Sequence, residues 1–431
     1  MRNIIITSQT ELFVKMIAFT KGLKGGITLP ISTLEVHQKT VNREELLKKA
    51  KEVGELAEKH ALQSDIDAKL PDAVIEKIKE AGFHKLHRPK EYGGQELDFY
   101  TFGDIIRTVA NYSVPAAWIT YFAIIHETWP AFLPKQGREE MYNTNALLAD
   151  VFAPVGKVTD DSDGEGYRIS GQWNFCSGVL WSDWIALGAI HKMRDAEEPE
   201  LSLFIVHKND VELVDNWDPI GLRGTGSNGV KLDNVYVSAH YVFPAKRVIN
   251  GATAPDGNYE EDYQLFNVPY MIYFLSGFSQ IAIGGLERLV NDFKEKTKGR
   301  IRIYNNNASE KDGGSAQRTL GEISIQLTAV KAVAKEYMEK LHYYQENGIR
   351  VLEEEEREQL FAMRAYVAKT AADTATRILT VLGGNSIYKD QHSERFVRDL
   401  LAVAAHPSHL YEDAMVAYGK TILGFDGHPI W

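Results

Sequence analysis

Trp173-Asn174-Phe175-Cys176-Ser177-Gly178 is answered further along the chain by Trp217-Asp218-Pro219-Ile220-Gly221-Leu222-Arg223-Gly224-Thr225-Gly226-Ser227. Both stretches lie in a region with strand periodicity, and each puts hydroxyl, glycine and aromatic residues on a turn. Glycines let a backbone approach a ligand closely, hydroxyls and freed N–H groups bond a polar ring edge, and aromatics cover a ring face. Such a pair suits a flat cofactor with a polar edge, and points to a flavin.

Outward from these turns, short β-rich runs occur at Tyr167–Ser170, Ile185–His191, Leu201–Val206 and Val235–Val237, separated by Asp/Gly-rich turns. They predict a middle β domain over 147–245. On its N-terminal side, 41–146 reads as a helical domain. Apolar residues recur every three or four positions from Leu46 to Ala57. A short helix is predicted from Asp72 to Glu80, between Pro71 and Gly82. Phe99–Asn111 and Ala116–Phe132 read as two further helices, the second apolar on nearly all sides and hence buried. On the C-terminal side, 246–431 reads as a bundle with helices near 267–297, 315–347, 353–382 and 393–424. Residues 1–40 read as an extension with little fixed structure. The expected fold class is α+β, a helical domain followed by a β-barrel-like domain and a four-helix bundle.

With 431 residues, 44% hydrophobic and 25% charged, the composition is that of an ordinary soluble globular protein. A net charge of −11 argues against a nucleic-acid or anionic-membrane surface. The single cysteine, Cys176, excludes an intramolecular disulfide and fits a reducing, cytoplasmic compartment. No apolar run approaches a membrane span. The acidic run Glu353–Glu356 reads as a solvated face.

Ser177 reads either as a hydroxyl beside a flavin's reactive nitrogen or as a turn serine satisfying its own backbone. His126, after Trp118, Tyr121 and Phe122 on the apolar helix, reads either as a site residue or as a satisfied core histidine. His406 and His409 are expected on one helical face. With no third ligand evident they do not read as a metal site, and none is expected. His406 near a flavin would instead suit proton transfer.

Taken together, these residues resemble the acyl-CoA dehydrogenase superfamily over about 45–425. The resemblance is carried by Pro89-Lys90-Glu91-Tyr92-Gly93-Gly94, the two turns, and Gly383-Gly384 ahead of Arg395 and Arg398-Asp399. Many such dehydrogenases carry a Tyr-Glu-Gly-Thr segment whose glutamate removes a proton beside a thioester. Here that segment reads Ala404-Ala405-His406-Pro407-Ser408-His409, and proline is no base. A histidine placed as His406 is similar to the flavin-dependent monooxygenases of the same fold, of the p-hydroxyphenylacetate hydroxylase and dibenzothiophene monooxygenase type.

That resemblance implies the oxygenase component of a two-component monooxygenase. Reduced FMN, or FAD, would come from a separate NAD(P)H flavin reductase, and O2 would oxygenate a small, aromatic substrate through a flavin hydroperoxide. It implies catalytic roles for His406, Ser177 and His126. It implies cofactor contacts from Trp173, Phe175, Ser177, Gly178, Arg223, Thr225, Ser227, Gly383 and Gly384, and substrate contacts from Trp118, Tyr121, Phe122 and His126. Arg300, Arg302 and Arg318 are candidates for the cofactor phosphate, and a homotetramer is expected. The alternatives are an acyl-CoA dehydrogenase, an N-oxygenase of an amine or amino sugar, and a non-enzymatic scaffold of the same fold.

Overall fold

The computed structural model describes residues 43–428 apart from 163, 195, 256, 258–264 and 304. The extension expected over 1–40 lies outside the described residues. The chain opens with α1 (Arg43–Lys59), α2 (Ala61–Asp67) and α3 (Asp72–Glu80). In α1 the buried residues Leu46, Ala50, Val53 and Ala57 form one stripe at helical spacing. α4 (Phe99–Ala110) starts at Asp98, whose side chain accepts from the Thr101 N–H. α5 (Val114–Ile125) starts at Ser113, which accepts from the Ala116 N–H, and eleven of its residues are buried.

The helix expected to run on to Phe132 stops at Ile125 and tightens into a 3-10 segment, His126–Phe132. Pro130 lies inside that segment and has no N–H for an α-helical bond. His126 therefore stands at the C-cap of α5, where the helix ends. α6 (Lys135–Tyr142) leads into the sheet.

The strands are β1 (Leu147–Asp160), β2 (Gly166–Trp173), β3 (Ser182–His191), β4 (Glu200–His207), β5 (Glu212–Val214), β6 (Gly229–Ser238) and β7 (Val242–Phe243). They form one mixed sheet in the order β5-β6-β2-β1-β3-β4-β7. The expected barrel is corrected here. The sheet is open, because β5 and β7 stand at opposite edges and do not pair. The long β1 serves both halves, pairing antiparallel with β2 through its second part and parallel with β3 through its first. A register shift between Val151 and Gly156 lets it change partners. Gly156 is required there, since a Cβ would stand 2.6 Å from the Trp173 ring.

After the sheet come α7 (Ala245–Ile249), α8 (Tyr270–Phe274), α9 (Gly277–Gly299), α10 (Gly314–Asn347), α11 (Glu354–Leu382), α12 (His392–Ala404) and α13 (Tyr411–Ile422). α9 packs on α4, α10 and α11. The helix expected over 393–424 is broken between α12 and α13 by a 3-10 turn, Pro407–His409, because proline at 407 ends the α-helical ladder. His406 and His409 consequently flank a turn and do not share a helical face. Among the described residues no helix is long and apolar enough to cross a membrane.

Candidate active site

The turn after β2 crosses to the turn before β6. Phe175 takes φ +64° and Gly178 φ +79°, so the chain reverses sharply around Cys176 and Ser177. Two backbone bonds fasten it: the Cys176 N–H donates to Asn228 O at 3.2 Å and the Gly178 N–H to Thr225 O at 3.4 Å. Cys176 is fully buried, and burial raises its thiol pKa far above the ordinary value. The opposing turn is held from the bundle side, where Asp399 Oδ1 accepts from the Leu222 N–H at 2.7 Å. Burial pushes the Asp399 carboxyl up to about 7.

Between the two turns runs a line of hydroxyls. Thr225 Oγ1 donates to Leu222 O at 2.8 Å, which leaves it to accept from Ser227 Oγ at 2.7 Å. Ser227 then accepts from Ser177 Oγ at 2.8 Å. Ser177 also accepts from Trp118 Nε1 at 3.0 Å. Its one proton is thus committed and one lone pair is left over.

Trp118 leads from this line into an aromatic chamber. Its ring lies 5.5 Å from Phe122, 5.0 Å from Phe278 and 5.4 Å from His406. Phe122 in turn lies 4.6 Å from the His126 ring. His406 is half-buried, and its Nδ1 accepts from the Ser408 N–H at 3.2 Å. Its Nδ1 also lies 2.7 Å from Ser408 Oγ, and its Nε2 has no hydrogen-bond partner among the described residues. Enclosure in the chamber, with the Arg364 charge nearby, pushes the His406 pKa down to about 4.

His126 is 1% exposed. Its Nδ1 lies 2.8 Å from Leu148 O, which can only accept, so Nδ1 carries a proton. Its Nε2 lies 3.1 Å from Asp150 Oδ2. Burial raises the Asp150 carboxyl above its ordinary value.

The expected site residues divide accordingly. Ser177, Thr225, Ser227, Trp118, Phe122, His126 and His406 form one connected group, and Phe175 and Gly178 shape its rim. Phe175 is 73% exposed, with its ring edge-on to Trp217. Three expected residues have other partners in the structure. Trp173 is 1% exposed in the sheet core, with its Nε1 donating to Gly188 O, because its alternation along β2 turns it inward. Tyr121 is fully buried and its hydroxyl donates to Phe274 O, so it fastens α5 to α8 while its ring packs on Phe122 and Phe278. The Arg223 guanidinium is taken by Asp65 O at 2.5 Å, Pro219 O at 3.1 Å and Asp218.

Gly383 and Gly384 follow α11 and do not join the hydroxyl line. A Cβ on Gly383 would stand 3.3 Å from Arg300 Nη2. Arg300 and Arg302 both pair with the buried Glu310, and Arg318 pairs with Glu322 on an exposed face. Asp150, Phe278 and Arg364 were not legible as site residues. A lone acid beside the apolar Leu147-Leu148-Ala149 was the available signal for Asp150.

N-terminal helices, an open mixed sheet with paired turns after β2 and before β6, and a C-terminal bundle packed on those helices agree with the acyl-CoA dehydrogenase resemblance. The family described as acyl-CoA dehydrogenase, N-terminal domain, matches residues 40–140, and that described as acyl-CoA dehydrogenase, C-terminal domain, matches 276–410. The two matches together cover more than half of the chain, which belongs to the acyl-CoA dehydrogenase superfamily.

Within it, the chain is 28% identical over 408 residues to the p-hydroxyphenylacetate 3-hydroxylase oxygenase component of Acinetobacter baumannii, covering 93% of this chain and 94% of that protein. Among solved structures it is similar to XiaF from Streptomyces sp. in complex with FADH2 and glycerol, with a TM-score of 0.82 and 22% identity over 90% of this chain and 98% of that one. It is also similar to the TdsC of Paenibacillus sp. A11-2 in complex with FMN and indole, with a TM-score of 0.74 and 17% identity over 90% and 99% of the two chains.

Proposed function

We propose that this chain is the oxygenase component of a two-component flavin-dependent monooxygenase that oxygenates a small aromatic substrate. The observation that carries the reading is the hydroxyl line ending at Ser177. Its leftover lone pair lies beside the aromatic cluster around Trp118, and a reduced flavin offers an N–H donor at its reactive ring nitrogen. The glycine-permissive turns and the exposed Phe175 ring fit a flat ring laid along that edge. The 28% identical relative is itself named an oxygenase component, which supports a separate NAD(P)H flavin reductase as supplier.

Reduced flavin, when bound, supplies the electrons that activate O2. Ser177 accepts a hydrogen bond from the ring and holds it in register. Trp118, Phe122 and Phe278 surround the substrate ring and keep water out. His406 exchanges a proton at Nε2 with the substrate, and its depressed pKa keeps it neutral near pH 7. His126, beside Asp150, orients a substrate hydroxyl or heteroatom.

Pro407 stands where a thioester-dehydrogenating relative would carry its base, which speaks against that chemistry. Reduced FMN is the proposed cofactor, with reduced FAD as the alternative. We place the protein in the cytoplasm as a homotetramer, and the exposed Ile325 and Tyr343 on α10 and Val416 on α13 support packing between bundles. Gly383 and Gly384, remote from the hydroxyl line, are placed to complete a neighbouring subunit's cofactor site.

The test is anaerobic titration with reduced FMN and reduced FAD, followed by air and p-hydroxyphenylacetate. Tight binding of one reduced flavin and hydroxylated product in excess of peroxide are expected. Failure to bind either reduced flavin sinks the reading. Bleaching of a tightly held oxidised flavin by an acyl-CoA would replace it with a dehydrogenase.

A further inference from the structure

A cavity of about 260 Å³ lies beside α7, α8 and the start of α11. Its wall carries Arg350, Arg357 and Arg364 beside the apolar Met271, Leu275 and Phe361. Two of the three guanidinium groups are committed. Arg350 Nη2 donates to Thr253 O at 2.5 Å, and Arg357 Nη2 pairs with Glu354 at 3.2 Å and Glu358 at 2.9 Å.

Arg364 differs. It is 3% exposed, yet its Nε and Nη1 have no hydrogen-bond partner. Among the described residues no carboxylate pairs with it. The Phe361 ring lies under its guanidinium, 5.6 Å away, and the Tyr337 hydroxyl, which donates to Ile272 O at 2.5 Å, accepts one bond from it. A guanidinium does not shed its proton on burial, so its desolvation has to be offset by an anion or by donors satisfied elsewhere. Among the described residues no anion answers it, and Nε and Nη1 stay without a partner.

The cavity is also close to the chamber. Met271, Ile272 and Leu275 line it, while Phe274 of the same turn stacks 6.0 Å from the His126 ring. Its apolar wall matches a hydrocarbon body, and its free donors match a planar acceptor.

We propose that this cavity is a carboxylate subsite, taking the anionic end of a small organic acid with Arg364 as its counter-ion. Where that acid is the oxygenase substrate itself, the inference rests on the function proposed above. Where it is a separate small acid, it stands without that function.

The experiment is calorimetric titration of the full chain with phenylacetate, its neutral amide phenylacetamide, and acetate. Wild type is expected to bind phenylacetate at least about tenfold more tightly than phenylacetamide, the scale of one charge-assisted pair. Arg364→Met is expected to bring that ratio to about one, and Arg364→Lys, which keeps the cation, to preserve part of it. Acetate that competes with phenylacetate assigns the site to the acid tail of one ligand. Acetate that binds through Arg364 and leaves phenylacetate in place assigns it to a separate acid. If neither carboxylate shows a preference that depends on Arg364, the subsite is overturned. Reduced-flavin binding is measured on the same samples, so that loss of the oxygenase reading is seen separately.

Discussion

Ser177 and His406 touch the same tryptophan and do different things. Ser177→Ala removes the proposed bond to the flavin, worth roughly 0.5–1.5 kcal/mol, together with those to Trp118 and Ser227. The expected result is a product-to-peroxide ratio lowered by about threefold to tenfold with substrate affinity kept; an unchanged ratio would remove Ser177 from the cofactor's edge. His406→Ala deletes the proton carrier, and turnover should fall by about 10²-fold or more while circular dichroism stays native. Turnover within a factor of two of wild type would dismiss it. At this scale the sequence was readable where a residue type has one chemical reason to be on a turn. Ser177, Thr225 and Ser227 were singled out that way and do share one hydroxyl line, and His406 was singled out by standing where a base was missing. Trp173 and Tyr121 misled because a polar-tipped aromatic reads alike whether its tip meets a backbone carbonyl or a ligand. Arg364 was invisible, since only the structure reveals that no acid on a neighbouring helix answers it.

Among the elements, the break at Pro407 matters most for the site. A continuous helix would carry His406 round the axis, whereas the 3-10 turn fixes its Nδ1 against the Ser408 N–H. Pro407→Ala restores the missing N–H and should let the helix extend, with turnover reduced about tenfold or more and thermal stability kept or raised. Full activity in that variant would separate the turn from catalysis. The buried Asp399 ties α12 to the Leu222 turn and supplies a pH signature. Its folded pKa of about 7 stands above the ordinary 3.8, so the native state holds a proton that the unfolded chain releases. Stability from this group is present at low pH and is lost as pH rises from about 4 to about 7. Asp399→Asn keeps an oxygen for the Leu222 N–H and removes the charge. Its melting temperature relative to wild type should climb across that window and then level off, and parallel curves would refute the assignment. Most helices were legible from apolar spacing, and α3 matched its predicted bounds because a proline and a glycine frame it. The expected helix over Ala116–Phe132 ended early, since spacing does not register a 3-10 tightening.

At the scale of the molecule, strand runs and turns revealed a β layer but not whether its edges meet. Closure depends on pairing between β5 and β7, and no local pattern encodes that. The order of helical layer, sheet and bundle was legible, and so was the pairing of the two turns. Binding to the native state alone should raise the melting temperature, by about 2.7 kcal/mol of stability at a hundredfold excess over Kd. Reduced flavin is expected to raise it more than oxidised flavin at equal concentration, because only the reduced ring donates to Ser177; equal shifts would count against the hydroxyl order. One further consequence concerns durability. An oxygenase that leaks peroxide exposes its own side chains to it, and a thiolate is the most vulnerable of them. The chain's single sulfhydryl, Cys176, adjoins the proposed cofactor edge, yet it is sealed in the sheet core and held as the unreactive thiol. The protein thus keeps its softest nucleophile out of reach of the oxidant it handles.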